Sequence, residues 1–207
     1  MKQDRAQACH YCEQKSCLRR ELKYLLKQER VRDVYLARIG FGQAIAVSPV
    51  QFIATVSALV GDGILRTPRF VNQVGNTVLA SNVKQRIVSE ETSATLSQLL
   101  YGVVSQGSGK KAAVAGYQIG GKTGTAQKFD PKLKQYSKKK YIASFCGMLP
   151  IKKPEIVILV IYDEPSGDYY ASSVTAPVFA KIAQRAAEYL KIEPDIVETK
   201  IKKGAKK

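Results

Sequence analysis

Lys122, Thr123, Gly124 and Thr125 are the residues whose types and spacing best suit chemistry. They lie within Gly120-Gly121-Lys122-Thr123-Gly124-Thr125-Ala126-Gln127. The segment reads as a strand, on which side chains alternate between faces. Thr123 and Thr125 therefore share one face, and Lys122 and Gly124 share the other. Two hydroxyls so spaced can both address one anionic group in a cleft. Lys122 adds a compact positive charge that can hold a carboxylate or lower the pKa of a neighbouring hydroxyl. Gly124 lets another group approach closely. If the strand lies at a sheet edge, the Thr125 N–H is free to act as one donor of an oxyanion hole.

The elements around this segment can be placed from the pattern. Ser48 is an N-cap, Pro49 suits the first helical position, and Gln51 completes a capping box. Val50, Ile53, Ala54, Ser57 and Ala58 then form a helical face that ends near Gly61 and Gly63. Residues 63–80 suggest a short β-ribbon. A second helix starts at Ser89, with Glu90 and Glu91 at its positive end. Its apolar face is Leu96, Leu99, Leu100, Val103 and Val104, and Gly107 ends it. Strands are expected at 117–127, 141–149 and 155–163. The last two are joined antiparallel through Pro150-Ile151-Lys152-Lys153-Pro154. The unbroken apolar run Ile156–Ile161 predicts burial on both faces. A final helix over 175–191 would bury Val178, Phe179, Ile182, Ala183, Ala186, Tyr189 and Leu190. A helix at 18–30 would be a poor core element. The fold class is α+β, an antiparallel sheet packed against helices.

In order and spacing, several stretches resemble the C-terminal part of a class B penicillin-binding protein transpeptidase domain. Lys122-Thr123-Gly124 matches one of three motifs shared by penicillin-binding proteins and serine β-lactamases. Gly42-Gln43 followed by Ser48-Pro49-Val50-Gln51 resembles the Gly-Gln…Thr-Pro-x-Gln segment of that family. Val103–Gly109, Ser144–Pro150, Asp163-Glu164-Pro165, Tyr169-Tyr170 and Ala176-Pro177-Val178-Phe179 resemble the helix end, strands, turn and closing helix around it. The similarity covers residues 33–191. It sets off a charged N-terminal segment, 1–32, and a basic disordered tail, 192–207.

The resemblance implies a peptidoglycan D,D-transpeptidase, in which a serine forms an ester with the stem peptide and passes the acyl group to an amine. It implies stem peptide and β-lactams as ligands and no cofactor. Lys122, Thr123 and Thr125 would contact the ligand carboxylate, the Thr125 N–H would join the oxyanion hole, and Gly124 would permit the approach. The family's Ser-x-x-Lys and Ser-x-Asn motifs precede the region of resemblance. Ser137-Lys138-Lys139-Lys140 fits the first by letters but lies in a Lys-rich loop, and no Ser-x-Asn occurs. Three of the family's usual five strands are expected, so the fold is an incomplete transpeptidase/β-lactamase-like one. In the family the last strand pairs with the first, so one edge of 155–163 would be bare. The expectation is a fragment that is inactive alone. One alternative is a split enzyme completed by another chain.

Composition bounds these readings. The chain has 207 residues and 45% apolar content, enough for one globular domain. Its 33 basic and 17 acidic side chains give a net charge of +16. Much of the excess lies in Lys128–Lys140 and in the tail. A non-enzymatic basic binding module is a further alternative, but no nucleic-acid-binding signature accompanies the charge, so no nucleic acid is expected. There is no apolar run of about 18 residues and no apolar segment behind the N-terminus. The family sits in the cytoplasmic membrane facing outward, whereas this chain alone would be cytoplasmic. Cys9, His10, Cys12 and Cys17 match no common zinc spacing, so no metal is expected. Cys146 reads as a small core residue.

Overall fold

The computed structural model describes residues 32–196, except 41, 43, 44, 46, 72, 79–83, 131 and 134. The helix anticipated at 18–30, the Cys9–Cys17 group and residues 197–207 lie outside the described residues.

Helix α1 (Asp33–Gly40) leads to α2 (Pro49–Val60). The capping box forms as its residues require. Ser48 Oγ accepts the Gln51 N–H at 3.2 Å, and the Ser48 N–H donates to Gln51 Oε1 at 3.4 Å. The ribbon consists of β1 (Ile64–Arg66) paired with β4 (Lys84–Arg86), and β2 (Gln73–Val74) paired with β3 (Thr77–Val78). Helix α3 (Glu90–Ser105) is capped by Ser89, whose Oγ accepts the Thr92 N–H at 3.1 Å. A 3-10 turn, Lys110–Ala112, precedes β5 (Gly120–Asp130), β6 (Gln135–Leu149) and β7 (Ile156–Asp163). These strands form one antiparallel sheet in the order β5-β6-β7. Helices α4 (Ala171–Val174) and α5 (Ala176–Leu190) are the last elements, followed by described residues 191–196.

Helices cover both faces of the sheet. On one face Phe145, Leu149 and Val160 pack with Phe179 and Ala183 of α5. On the other, Met148 and Ile151 pack with Val60 of α2, flanked by Leu100 and Tyr101 of α3. Two glycines allow the first layer to close. A Cβ on Gly121 would lie 2.5 Å from the Phe145 ring, and one on Gly147 would lie 2.6 Å from the Phe179 ring. The two rings then meet at a centroid distance of 4.7 Å. Cys146 is buried as expected, and burial pushes its thiol up to about 12.

Four expectations change. Leu99 of α3 is 65% exposed, while Ser93 and Ser97 are buried. Ser93 Oγ donates to the carbonyls of Leu59 and Gly61, at 2.5 and 3.0 Å, and Ser97 Oγ donates to that of Val60 at 3.3 Å. The unpaired carbonyls at the end of α2 require donors, and this polar requirement outweighs apolar periodicity. On α5 the buried side chains are Ala176, Phe179, Ala183 and Ala187, whereas Ile182, Tyr189 and Leu190 are exposed. Alanines let the helix lie close to the sheet. Strand β7 is not buried on both faces: Val160 alone is buried, and Ile161 and Tyr162 are exposed. It is the last strand of the sheet, so its outer edge pairs with no strand among the described residues.

The fourth correction concerns the start of the expected disordered tail. Residues 192–196 are anchored by hydrogen bonds: Ile192 is buried, although Ile196 is exposed, and the Ile192 carbonyl accepts the Tyr117 hydroxyl at 2.7 Å. Asp195 Oδ1 accepts the Gln118 N–H at 2.7 Å, and the Ile196 N–H donates to the Gly116 carbonyl at 3.1 Å. The loop that delivers the chain into β5 is thereby held in place.

Candidate functional site

The free edge of β5 can be located from the ladder. Across β6 and β7 the Glu164 N–H donates to the Tyr141 carbonyl at 2.9 Å, so odd-numbered residues of β6 bond toward β7. Even-numbered residues of β6 then bond toward β5, and the register sets Ser144 opposite Gly124 and Cys146 opposite Lys122. Lys122 and Gly124 are thus tied into the ladder. The N–H and C=O groups of Thr123 and Thr125 point to the open side of β5, the other terminal strand of the sheet. Two contacts agree with this: Ser144 Oγ donates to the Gly124 carbonyl at 3.4 Å, and Lys122 Nζ donates to the Thr123 carbonyl at 2.9 Å.

The structure brings all four predicted residues to this edge. Lys122 and Thr125 are exposed, and Thr123 is half-buried. Thr123 Oγ1 lies 3.0 Å from Ser108 Oγ. Thr125 Oγ1 accepts the Ala171 N–H, the first of α4, at 3.1 Å. An N–H can only donate, so the proton of the Thr125 hydroxyl is left to point elsewhere. Gly124 permits a close cross-strand approach, since a Cβ there would lie 2.7 Å from Ser144 Oγ.

Beside this edge stands a stack of tyrosines. The Tyr141 and Tyr169 rings are 4.0 Å apart and 10° from parallel, and Tyr169 and Tyr170 are 4.6 Å apart. The Tyr169 phenol is pushed up to about 12, first by its hydrogen bond to the Tyr170 hydroxyl. Asp168 Oδ1 accepts the Tyr170 N–H at 2.9 Å, and this bond, followed by Ser173, holds its carboxyl below the ordinary value. At the other end of the loop Glu164 pairs with Lys128 at 2.8 Å and Lys140 at 3.0 Å. The loop before α4 is thus tied to β5 at Lys128 and at Thr125.

Sequence reasoning missed Ser108 and the Ala171 N–H, which meet their partners only in space, 15 and 46 residues away along the chain. Ser108-Gly109-Lys110-Lys111 does carry a letter-level signal, because it fits Ser-x-x-Lys. Ser108 follows the end of α3 rather than starting a buried helix. Ser81-Asn82-Val83-Lys84 also fits by letters, and Ser81 lies outside the described residues. Ser137 lies on β6 rather than in the expected loop, and its Oγ accepts the N–H groups of Lys139 and Lys140, at 3.2 and 3.0 Å. Among the described residues no group of three acidic, His or Cys side chains could hold a metal ion. No described helix is long and apolar enough to cross a membrane.

A sheet flanked by helices, with Lys-Thr-Gly-Thr on its open edge, defines the class. The family model described as "Penicillin binding protein transpeptidase domain" matches residues 26–184, and the chain belongs to that family. Among curated proteins, stage V sporulation protein D of Bacillus subtilis is 37% identical over 82% of this chain and 27% of its own length. Peptidoglycan D,D-transpeptidase FtsI of Escherichia coli K12 is 33% identical over 84% of this chain and 29% of its own. Among solved structures, the transpeptidase domain of Burkholderia pseudomallei penicillin-binding protein 3 superposes with a TM-score of 0.72 and 32% identity. That match covers 84% of this chain and 51% of the other. Penicillin-binding protein 3 of Mycobacterium tuberculosis, complexed with ampicillin, gives a TM-score of 0.77 at 26% identity, over 85% of this chain and 42% of that one. The chain therefore spans less than a third of the length of these curated relatives.

Proposed function

We propose that this chain forms the Lys-Thr-Gly wall of a peptidoglycan D,D-transpeptidase site, the wall that holds the carboxylate end of a D-Ala-D-Ala stem peptide or of a β-lactam. The observation that carries this reading is the open edge of β5. There the Thr125 N–H, two hydroxyls and the Lys122 ammonium are gathered without being consumed by the sheet. Thr125 would donate its hydroxyl proton to the carboxylate, because Ala171 already donates to its oxygen. The Thr125 N–H would stabilise the oxyanion of the tetrahedral intermediate. Lys122 would supply the balancing charge and polarise the attacking hydroxyl.

These 207 residues hold no Ser-x-x-Lys at the start of a described helix, so we expect no acylation by the chain alone. The test is incubation of the purified chain with a fluorescent penicillin. The expected result is no label after denaturation. A covalent label would overturn this, and its loss in Ser108→Ala would identify Ser108 as the nucleophile. The exposed outer edge of β7 favours a second reading, in which another chain supplies the serine and the missing strands. Co-expression with a segment carrying Ser-x-x-Lys and Ser-x-Asn should then restore labelling, and failure of the two to co-purify would exclude it.

A further inference from the structure

Strands β5 and β6 run on past the sheet as a two-stranded arm. The β6–β7 register stops at Ile142, whereas β5 and β6 remain paired out to Asp130 and Gln135. On this arm Phe129 and Tyr136 are cross-strand partners in an edge-to-face contact with centroids 5.5 Å apart. Both stay about half exposed, at 49% and 45%. Lys132, Lys138 and Lys139 are exposed and make no ion pair among the described residues. The neighbouring acids are already engaged. Asp130 accepts the N–H groups of Lys132 and Leu133, and Asp163 and Glu164 pair with Lys128, with Lys140 also on Glu164. The arm therefore joins uncompensated positive charge to exposed aromatic surface. It grows from the strand that carries Lys122–Thr125, with Phe129 about 13 Å along the chain from Thr125.

We infer that this arm is a docking surface for a carboxylate-bearing glycan, namely a peptidoglycan strand whose stem peptides enter the β5 edge. The inference rests on the transpeptidase reading above. Charge complementarity selects the partner: lysines pair with the stem-peptide carboxylates, and the aromatic faces receive the C–H faces of sugar rings. An arm continuous with the site strand would raise the local concentration of substrate ends at that strand.

The test is co-sedimentation of the 207-residue chain with purified, insoluble peptidoglycan, over a range of salt. Folding of each variant is checked by thermal unfolding. The triple variant K132E/K138E/K139E should bind about tenfold more weakly at low salt, as expected for three exposed charges acting together. F129A/Y136A should weaken binding at all salt concentrations. Unchanged binding by both arm variants would overturn the inference and leave the transpeptidase reading intact. Equal binding of the wild-type chain to anionic lipid vesicles or to polyglutamate would also overturn it, since the arm would then be a generic cationic surface. Failure of the wild-type chain to sediment would do the same.

Discussion

The two outer edges of the β5-β6-β7 sheet present the same backbone pattern and opposite chemistry. Each offers N–H and C=O groups with no neighbouring strand among the described residues. At β5 the edge residues are Lys, Thr and Gly, and contacts from Ser108, Ala171 and the Glu164 loop hold them. At β7 the edge residues are aliphatic and aromatic, with Ile161 and Tyr162 exposed. The first edge is polar, supported and open, as a ligand site must be. The second has the composition of a strand that expects a partner. The side chains and their supports, rather than the free ladder, separate a binding edge from a pairing edge.

The strongest way to break this comparison is through the strand both edges share. Phe145→Ala removes a fully buried ring that contacts Phe179 and should cost about 3–5 kcal/mol, read by urea unfolding. A cost below about 1 kcal/mol would mean that the sheet is not one packed unit. Next comes the supported edge. Thr125→Val leaves the Ala171 N–H without its acceptor and should cost about 1 kcal/mol. Amide exchange over residues 164–171 should accelerate, and Thr125→Ser should restore protection. Unchanged exchange in the valine variant would mean that Thr125 does not hold the loop.

The pairing edge should respond in the opposite way. Ile161→Lys changes an exposed position, so stability should move by no more than about 0.5 kcal/mol, while self-association measured by light scattering should fall. Unchanged self-association would show that this flank is not a pairing edge. The smallest effect at neutral pH belongs to Cys146, between the edges. Its folded pKa is raised to about 12, so its contribution to stability is complete below the ordinary thiol value of about 8.5 and is lost as pH rises toward the folded value. Alkylation at pH 8, followed on the Cys146 peptide by mass spectrometry, should be slower than in urea by on the order of a hundredfold or more. Equal rates would place the thiol at the surface.

Local signals were legible. The capping box at Ser48 and Gln51 and the Ser89 cap follow from residues that interact within a few positions of one another. The three strands were placed by pattern, but the Lys-rich stretch read as a loop instead extends β5 to Asp130 and starts β6 at Gln135, because cross-strand pairing holds it. The apolar stripes were read less well. On α3 the face turned to α2 is serine, because helix-end carbonyls needed donors that periodicity does not register. On α5 small alanines pack inward while Ile182, Tyr189 and Leu190 turn out. Of the site, the Lys122–Thr125 strand was legible. Its supports at Ser108 and Ala171 were not, nor was the anchoring of residues 192–196 behind its start.

By itself the sequence determined the family, the strand bearing Lys-Thr-Gly-Thr and the helix caps, since these depend on residue type and on spacings of a few positions. The tertiary structure alone decided which edge of β5 is open, which hydroxyl receives a backbone N–H, and which apolar residues lack cover. Those properties arise from contacts between residues far apart in the chain, and they exist only after the sheet has chosen its strand order.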